Sequence, residues 1–371
     1  MTTTKPSIRI PWSPPLLEED DKQAAISVIQ SGWMTQGKQT AAFESEMARA
    51  CGAKHAVVVN NGTAALMVAL LVHGIKPGDE VLVPTMTFIA TVNAVLAVGA
   101  KPILVDCDPK TLNVTPELLE QRLTPKTKAV VFVDVYGMPC DIDELRVFAE
   151  KRKLILIEDA AEAMGAVYNG KPIGSFNHTA IISFHMAKLT PAVEGGCLLT
   201  QDDELAARMK QIRNHGMATQ YHYICFGLNF RITDIQSAIG RSQLAKLSKT
   251  VALRQSLVRQ YKDGLLGLVE FQEEPTYVTT HPYMIFSILL PDQVMRDRVN
   301  AFLKDHGIDT RVCWVPVHQQ PYHKTLSAAQ GAFPNADRIA ERTLSLPLGN
   351  ALSSSEVAEV IDAVKQALRT S

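Results

Sequence analysis

Three groups along the chain have types and positions suited to chemistry on one shared ligand. Lys188 lies in "SFHMAKLTPAVEGG", just past the apolar run "TAIISF" and before the pair Gly195-Gly196. An isolated lysine there defaults to solvent, but paired glycines let backbone approach closely, which suits a ligand wall as well as a tight turn. Asp159 ends "LILIED", after residues that should be buried. A carboxylate in that position either caps the next helix or finds a partner, because burying it unpaired is costly. Glu162, three residues on, lies one helical turn away on the same side. In "VVVNNGTAAL" a strand gives way to a helix at Gly62, Thr63 and Ala64. Free first-turn N–H groups and the Thr63 hydroxyl make a phosphate seat there, or NNGT is simply a turn with a helix cap. A phosphate turn, a buried acid and a lysine, in that order, match the needs of pyridoxal 5′-phosphate (PLP). That cofactor takes a phosphate seat, a carboxylate for its ring nitrogen and an amine for its aldehyde.

The elements that must position these groups alternate. "AVVVN", "EVLVP", "PILVD", "KAVVFVDV" and "LILIED" are short apolar runs separated by helical patterns, from residue 55 to about 200. Strands without polar alternation predict a sheet covered on both faces, and strand–helix alternation predicts a mostly parallel α/β sheet. Ligands of such sheets bind beyond the carboxyl ends of the strands. In "TPELLEQRL" Thr115 is placed to cap and Pro116 suits the first helical position. Residues 233–266 read as one long helix or a broken pair. Beyond 265 the pattern predicts "PYMIFSILLP" and "DTRVCWVP" as strands and two further helices. The expected division is a large PLP-binding domain over 1–250, with an N-terminal arm over 1–40, and a small α+β domain over 251–371.

Composition excludes several classes. The 371 residues carry a formal charge of −1, which offers no global field for nucleic acid or an anionic membrane. The 6 cysteines are scattered without a CxxC pair, against a zinc site. No apolar stretch reaches the ~20 residues of a membrane helix, and the start lacks a signal-peptide core. A reducing cytoplasm is the expected setting. Neither GxGxxG nor GxxxxGK[ST] occurs, which disfavours a nicotinamide oxidoreductase or a nucleotide triphosphatase.

The segments "SGWMTQG", "VVVNNGTAAL", "PGDEVLVPTMTFIATVNAVLAVGAKPILVD", "IEDAAEAMGA", "SFHMAKLTPAVEGG", "RNHGM" and "GLNFRITDIQSAIG" span nearly the whole chain. Through them the sequence resembles the DegT/DnrJ/EryC1/StrS sugar aminotransferases. The resemblance implies the fold-type I PLP-dependent transferase architecture, a homodimer, L-glutamate as amino donor and a nucleotide-linked keto-deoxysugar as acceptor. "IEDAAEA" with "NHGM" and "GLNFR" is most similar to the branch that makes GDP-perosamine, aminating C4 of a GDP-linked keto-deoxyhexose. It implies that Lys188 binds the cofactor aldehyde, Asp159 pairs with the ring nitrogen and Phe88 stacks on the ring. Thr63, Ala64 and Ser183 match phosphate contacts, beside Gly62, and Asn229 matches a residue reaching the phosphate from a neighbouring subunit. Glu162 stands near the cofactor's phenolic oxygen. Trp33 to Gly37, His185 and the loop "WVPVHQQPYH" around His318 are substrate-side candidates by position. Relatives that dehydrate their sugars carry histidine where this chain has Lys188. Pro191 and Val193 stand where many relatives have threonine and glycine, close enough to the lysine to reshape the loop.

Overall fold

The computed structural model describes residues 8–14, 16–325 and 331–369. The apolar runs form β1 (His55–Val59), β2 (Glu80–Pro84), β3 (Lys101–Val105), β4 (Thr127–Val133) and β5 (Ile155–Asp159). After the short strands β6 (Val167–Tyr168) and β7 (Lys171–Pro172) come β8 (Thr179–Ser183) and β9 (Gly196–Thr200). Seven of these make one sheet in the order β1-β9-β8-β5-β4-β2-β3. Its strands pair in parallel except β9, which runs opposite to β1 and β8. Side chains alternate across it. Val57, Val59, Val83 and Ile157 enter one apolar cluster, while Val58, Leu82, Phe132 and Leu156 enter another on the opposite face. Helices therefore have to cover both sides, as the unbroken apolar strands require.

Beyond this sheet lie a hairpin of β10 (Met217–Thr219) and β11 (His222–Tyr223), then β12 (Glu270–Phe271), β13 (Val278–Thr280), β14 (Phe286–Leu289) and β15 (Thr343–Leu346). β12, β14 and β15 form a second, antiparallel sheet, and β13 joins β6 and β7. A third apolar cluster, including Leu257, Phe286, Leu303, Leu346 and Val360, packs the second sheet against the helices Leu247–Leu265, Gln293–Asp305 and Ser354–Arg369. Ile10 belongs to this cluster and bridges to Ile308, so the start of the described chain lies against the second sheet. Residues 1–7 of the expected arm lie outside the described residues.

Three local expectations differ from the fold, and a fourth is decided between its alternatives. Residues 233–266 form the broken pair, dividing at Lys246 into Asp234–Ala245 and Leu247–Leu265. The Lys246 ammonium lies 3.0, 2.6 and 2.9 Å from Glu18, Asp20 and Asp21, which ties the first helix to the break. Thr115 precedes the helix Pro116–Glu120 without a side-chain cap bond, and Pro116 alone sets its start. "TFIATVNAVLAVG" becomes helical only at Ala90–Ala97. "DTRVCWVP" is not a strand: it makes a single bridge, Arg311 to Ser345, before the chain turns away. The Cys313 carbonyl accepts from the Tyr136 hydroxyl, and Trp314 packs against Phe88.

Candidate active site

At the carboxyl ends of β1, β4, β5 and β8, where β9 begins, lies a cleft of 830 Å³. Its walls bring Gly62, Thr63, Ala64, Phe88, Asp159, Glu162, Ser183, His185, Lys188 and Asn229 together from segments far apart in sequence. The helix Gly62–Val72 points its N-terminus into this space, with Asn61 as N-cap. The Asn61 side chain accepts from the Ala64 N–H at 2.8 Å. That leaves the Gly62 and Thr63 N–H groups for an anion, so Ala64 lines the cleft with its donor already engaged. Glycine is required here by crowding. A Cβ on Gly196 would sit 2.5 Å from the Asn61 carbonyl, and one on Gly62 would sit 3.1 Å from the Ser183 Cβ.

Asp159 is buried at the end of β5. Thr91 donates its hydroxyl to Oδ2 at 2.7 Å and the Ala161 N–H reaches Oδ1 at 3.2 Å. Burial pushes this carboxyl up to about 6, against the pull of those two donors and of the Lys188 charge, while Glu162 adds to the rise. Asp159 does not cap a helix. It is an acceptor facing a ligand space, and the chemistry it suits is a protonated ring nitrogen.

Lys188 follows a tight turn in which its N–H donates to the His185 carbonyl at 2.8 Å. Its side chain is largely buried, 13% exposed, and the amine lies 3.3 Å from Glu162 Oε1. Oε2 of Glu162 accepts from the Tyr136 N–H at 2.9 Å. Tyr136 adopts φ +64°, an uncommon conformation for a bulky side chain, and its carbonyl is held by the Met284 N–H at 3.0 Å. Phe88 is 53% exposed at the cleft, with its ring 5.4 Å from that of Trp314.

Other candidates fall differently. Asn229 is among the residues that line the cleft of its own chain. His185 lines the cleft with Nε2 3.8 Å from Glu194. Trp33 is exposed and does not line it; its indole N–H donates to the Gln36 carbonyl at 3.3 Å. His318 also lies off the cleft. Its Nδ1 is 2.7 Å from the Thr85 hydroxyl, its Nε2 is 2.8 Å from Asp337, and the ring stacks on Phe333. Both nitrogens are used in tying 318 to 85 and 337. The sequence reading missed Trp12, Met284 and Thr91, which also line the cleft, as does Trp314 of the candidate loop "WVPVHQQPYH". Thr91 alone had a visible signal, lying one turn after Phe88 in "TFIAT".

Comparisons with known proteins identify the family of the chain. The family model for DegT/DnrJ/EryC1/StrS aminotransferases matches residues 15–365. The chain is 37% identical over 367 residues to the GDP-perosamine synthase of Caulobacter vibrioides, covering 97% of this chain and 98% of that one. It is 35% identical over 384 residues to the spore coat polysaccharide biosynthesis protein SpsC of Bacillus subtilis, covering 97% of each. The solved structure of Spr1654 from Streptococcus pneumoniae in its PLP form superposes with a TM-score of 0.92 at 27% identity, covering 97% of each chain. A cleft with a lysine and a buried aspartate on its walls and a helix N-terminus at its floor thus stands in a chain that belongs to the DegT/DnrJ/EryC1/StrS aminotransferase family.

Proposed function

We propose that this cleft transfers an amino group from L-glutamate to a nucleotide-linked keto-deoxysugar, with GDP-4-keto-6-deoxy-D-mannose as acceptor and GDP-perosamine as product. The chain is a PLP-dependent sugar aminotransferase by its family. The choice of a GDP sugar leans on the Caulobacter relative, and the comparable identity to SpsC keeps other nucleotide-linked 3-keto or 4-keto sugars as the competing acceptors.

The observation that carries the reading is the shared wall of the cleft. There the Lys188 amine, 3.3 Å from Glu162, and the Asp159 carboxyl flank a helix N-terminus with two donors to spare. These residues fit PLP. Gly62 and Thr63, with Ser183 and Asn229, would hold its phosphate; Asp159 would hold a proton at its ring nitrogen; Phe88 would cover a ring face; Glu162 would serve the phenolic oxygen. When bound, PLP supplies an electron sink for the carbanion left by a broken C–H bond. The free Lys188 amine would take the proton from the donor carbon and return one to the acceptor carbon. Glu162 orients the amine, and the Tyr136 N–H holds Glu162. Anionic Asp159 would keep the ring nitrogen protonated. A dehydratase would lack the lysine.

We propose a cytoplasmic homodimer as the working form. The exposed Tyr221, Tyr223, Ile224 and Phe226, on and after the β10–β11 hairpin, are the side chains a partner would cover. Among the described residues no helix is long and apolar enough to cross a membrane. The test is a two-stage assay on the PLP-loaded protein. Glutamate alone must bleach the visible cofactor band. A panel of GDP-, UDP- and dTDP-linked keto sugars must then restore it, fastest with the GDP 4-keto sugar. An unchanged spectrum with glutamate refutes transamination, and faster restoration by another sugar moves the acceptor.

A further inference from the structure

Behind the cleft, on the opposite face of the sheet, lies a polar cluster that the chemistry above does not use. Glu158 precedes Asp159 on β5 and so points the other way, into the apolar cluster that includes Phe132, Leu156 and Ala180. It is fully buried, as is Asp134 just past the end of β4. The two carboxyl groups lie on adjoining strand ends, where β4 and β5 pair, and each acts on the proton affinity of the other. One oxygen of each, Asp134 Oδ2 and Glu158 Oε1, is buried and has no donor from any other group. The remaining oxygens are served: the Cys140 N–H reaches Asp134 Oδ1 at 3.0 Å, and His178 Nε2 lies 3.0 Å from Glu158 Oε2. Two buried carboxylates in contact cannot both hold charge, and a single proton between them supplies each stranded acceptor.

We infer that Asp134 and Glu158 share one proton across the back of the sheet, and that this latch positions the ends of β4 and β5 that face the cleft. The Asp134 N–H donates to the Asp159 carbonyl at 3.3 Å, and the turn that begins at Asp134 presents the Tyr136 N–H to Glu162. The pair thus joins the backbone under Asp159 to the backbone that holds the partner of Lys188. Asp134 and Glu158 touch neither cleft nor ligand, so they are positioning residues. The proton also matters for charge. With one proton shared, the cluster behind Asp159 carries a single negative charge, and Asp159 is spared a second anion next to it.

The surroundings agree. His178 stacks on Phe176 and meets Phe132 edge-on, and burial holds it down at about 3, so it is a neutral donor to Glu158 and no counter-ion. The other titratable groups acting on the pair are Cys140, Cys51, Tyr277 and Asp159, all neutral or acidic; Arg146 acts on His178. Among the described residues neither carboxyl has an ion pair with lysine or arginine. Burial raises the proton affinity of both.

The shared proton does not depend on which sugar is used; its effect on Asp159 rests on that residue meeting the cofactor nitrogen. The test compares infrared spectra of the holoenzyme near neutral pH with those of Asp134→Asn/Glu158→Gln. The wild-type-minus-variant difference should contain the C=O stretch of one protonated carboxyl and the bands of one carboxylate. Two carboxylate signatures without a C=O stretch would overturn the shared proton. Glu158→Gln alone keeps a donor for Asp134, so its cofactor off-rate and the pH profile of the visible band should match wild type within about threefold. Glu158→Leu strands Asp134 and His178 and should release the cofactor about tenfold faster, the scale of one lost buried hydrogen bond. If Glu158→Gln loosens the cofactor as much as Glu158→Leu, the neutral-partner role is wrong. These readouts need no sugar substrate, so they fail or succeed separately from the acceptor assignment.

Discussion

Thr91 is the most direct handle on the charge of Asp159. Its hydroxyl, buried beside the carboxyl, donates to Oδ2 at 2.7 Å, and this bond is the largest pull downward on an acid that burial has raised to about 6. Thr91→Val keeps the shape and removes the donor. A hydrogen bond to a charged group contributes about 1.5–3 kcal/mol, and one pKa unit is about 1.4 kcal/mol, so the Asp159 carboxyl should rise by about 1–2 units. In the loaded enzyme a cationic ring nitrogen lowers the absolute position, but the difference between variant and wild type remains. The assay is the pH dependence of kcat/KM, whose acidic limb reports the groups of the free enzyme. That limb should move upward by about 1–2 units in Thr91→Val, with the alkaline plateau kept, and Thr91→Ser should leave it in place. Thr91 also contacts the Thr87 hydroxyl at 2.8 Å, and so a uniform loss at all pH values would mean that packing, not charge, was disturbed. An acidic limb that stays put would refute the assignment of Asp159 as the group that must be ionised.

Three further outcomes follow from the same geometry. In the cofactor-free protein Asp159 holds its proton up to about pH 6, while the unfolded chain releases it near 4, so stability is lost as pH rises between these values. Asp159→Asn removes that term, and its denaturation midpoint relative to wild type should improve from pH 4 to 7; a constant difference would contradict the raised carboxyl. Val193 has φ +68° and its neighbours close a tight turn, the Glu194 N–H donating to the Ala192 carbonyl at 3.0 Å. A left-handed conformation costs a branched residue about 1–2 kcal/mol, so Val193→Gly should raise Tm slightly despite its added chain entropy, and a fall in Tm would show the turn to be unstrained. Gly196→Ala places a methyl 2.5 Å from the Asn61 carbonyl and 2.9 Å from the Gly62 nitrogen. It should weaken PLP affinity at least about tenfold in equilibrium dialysis, through an overpacking cost of about 1–3 kcal/mol; unchanged affinity would remove that turn from the phosphate seat.

The main sheet was legible because its strands are unmixed runs of Val, Ile and Leu, a pattern that only double-sided burial produces. Lys188, Asp159 and the NNGT turn were legible because each interrupts such a run at its end. What escaped was set by long-range approach. Trp12 and Met284 line the cleft although neither sits at the end of a main-sheet strand, and no local spacing marks them. "DTRVCWVP" has strand composition, yet Tyr136 and the cleft compete for its backbone and side chains and win. His318 was a candidate by position, and two hydrogen bonds and a stacked ring place it away from the residues that line the cleft. The carboxyl pair Asp134–Glu158 was invisible in one dimension: 24 residues separate two acids that meet only when β4 and β5 pair, Phe132 beside Glu158.

The central claim is that the Lys188 amine is the group joined to the cofactor. Borohydride reduction of the PLP-saturated protein, followed by proteolysis and mass mapping, reads this directly. The account predicts a phosphopyridoxyl adduct on the peptide containing Lys188, near one per chain, and its disappearance after preincubation with glutamate. An adduct on another lysine, or an unmodified Lys188 peptide in saturated protein, would contradict it.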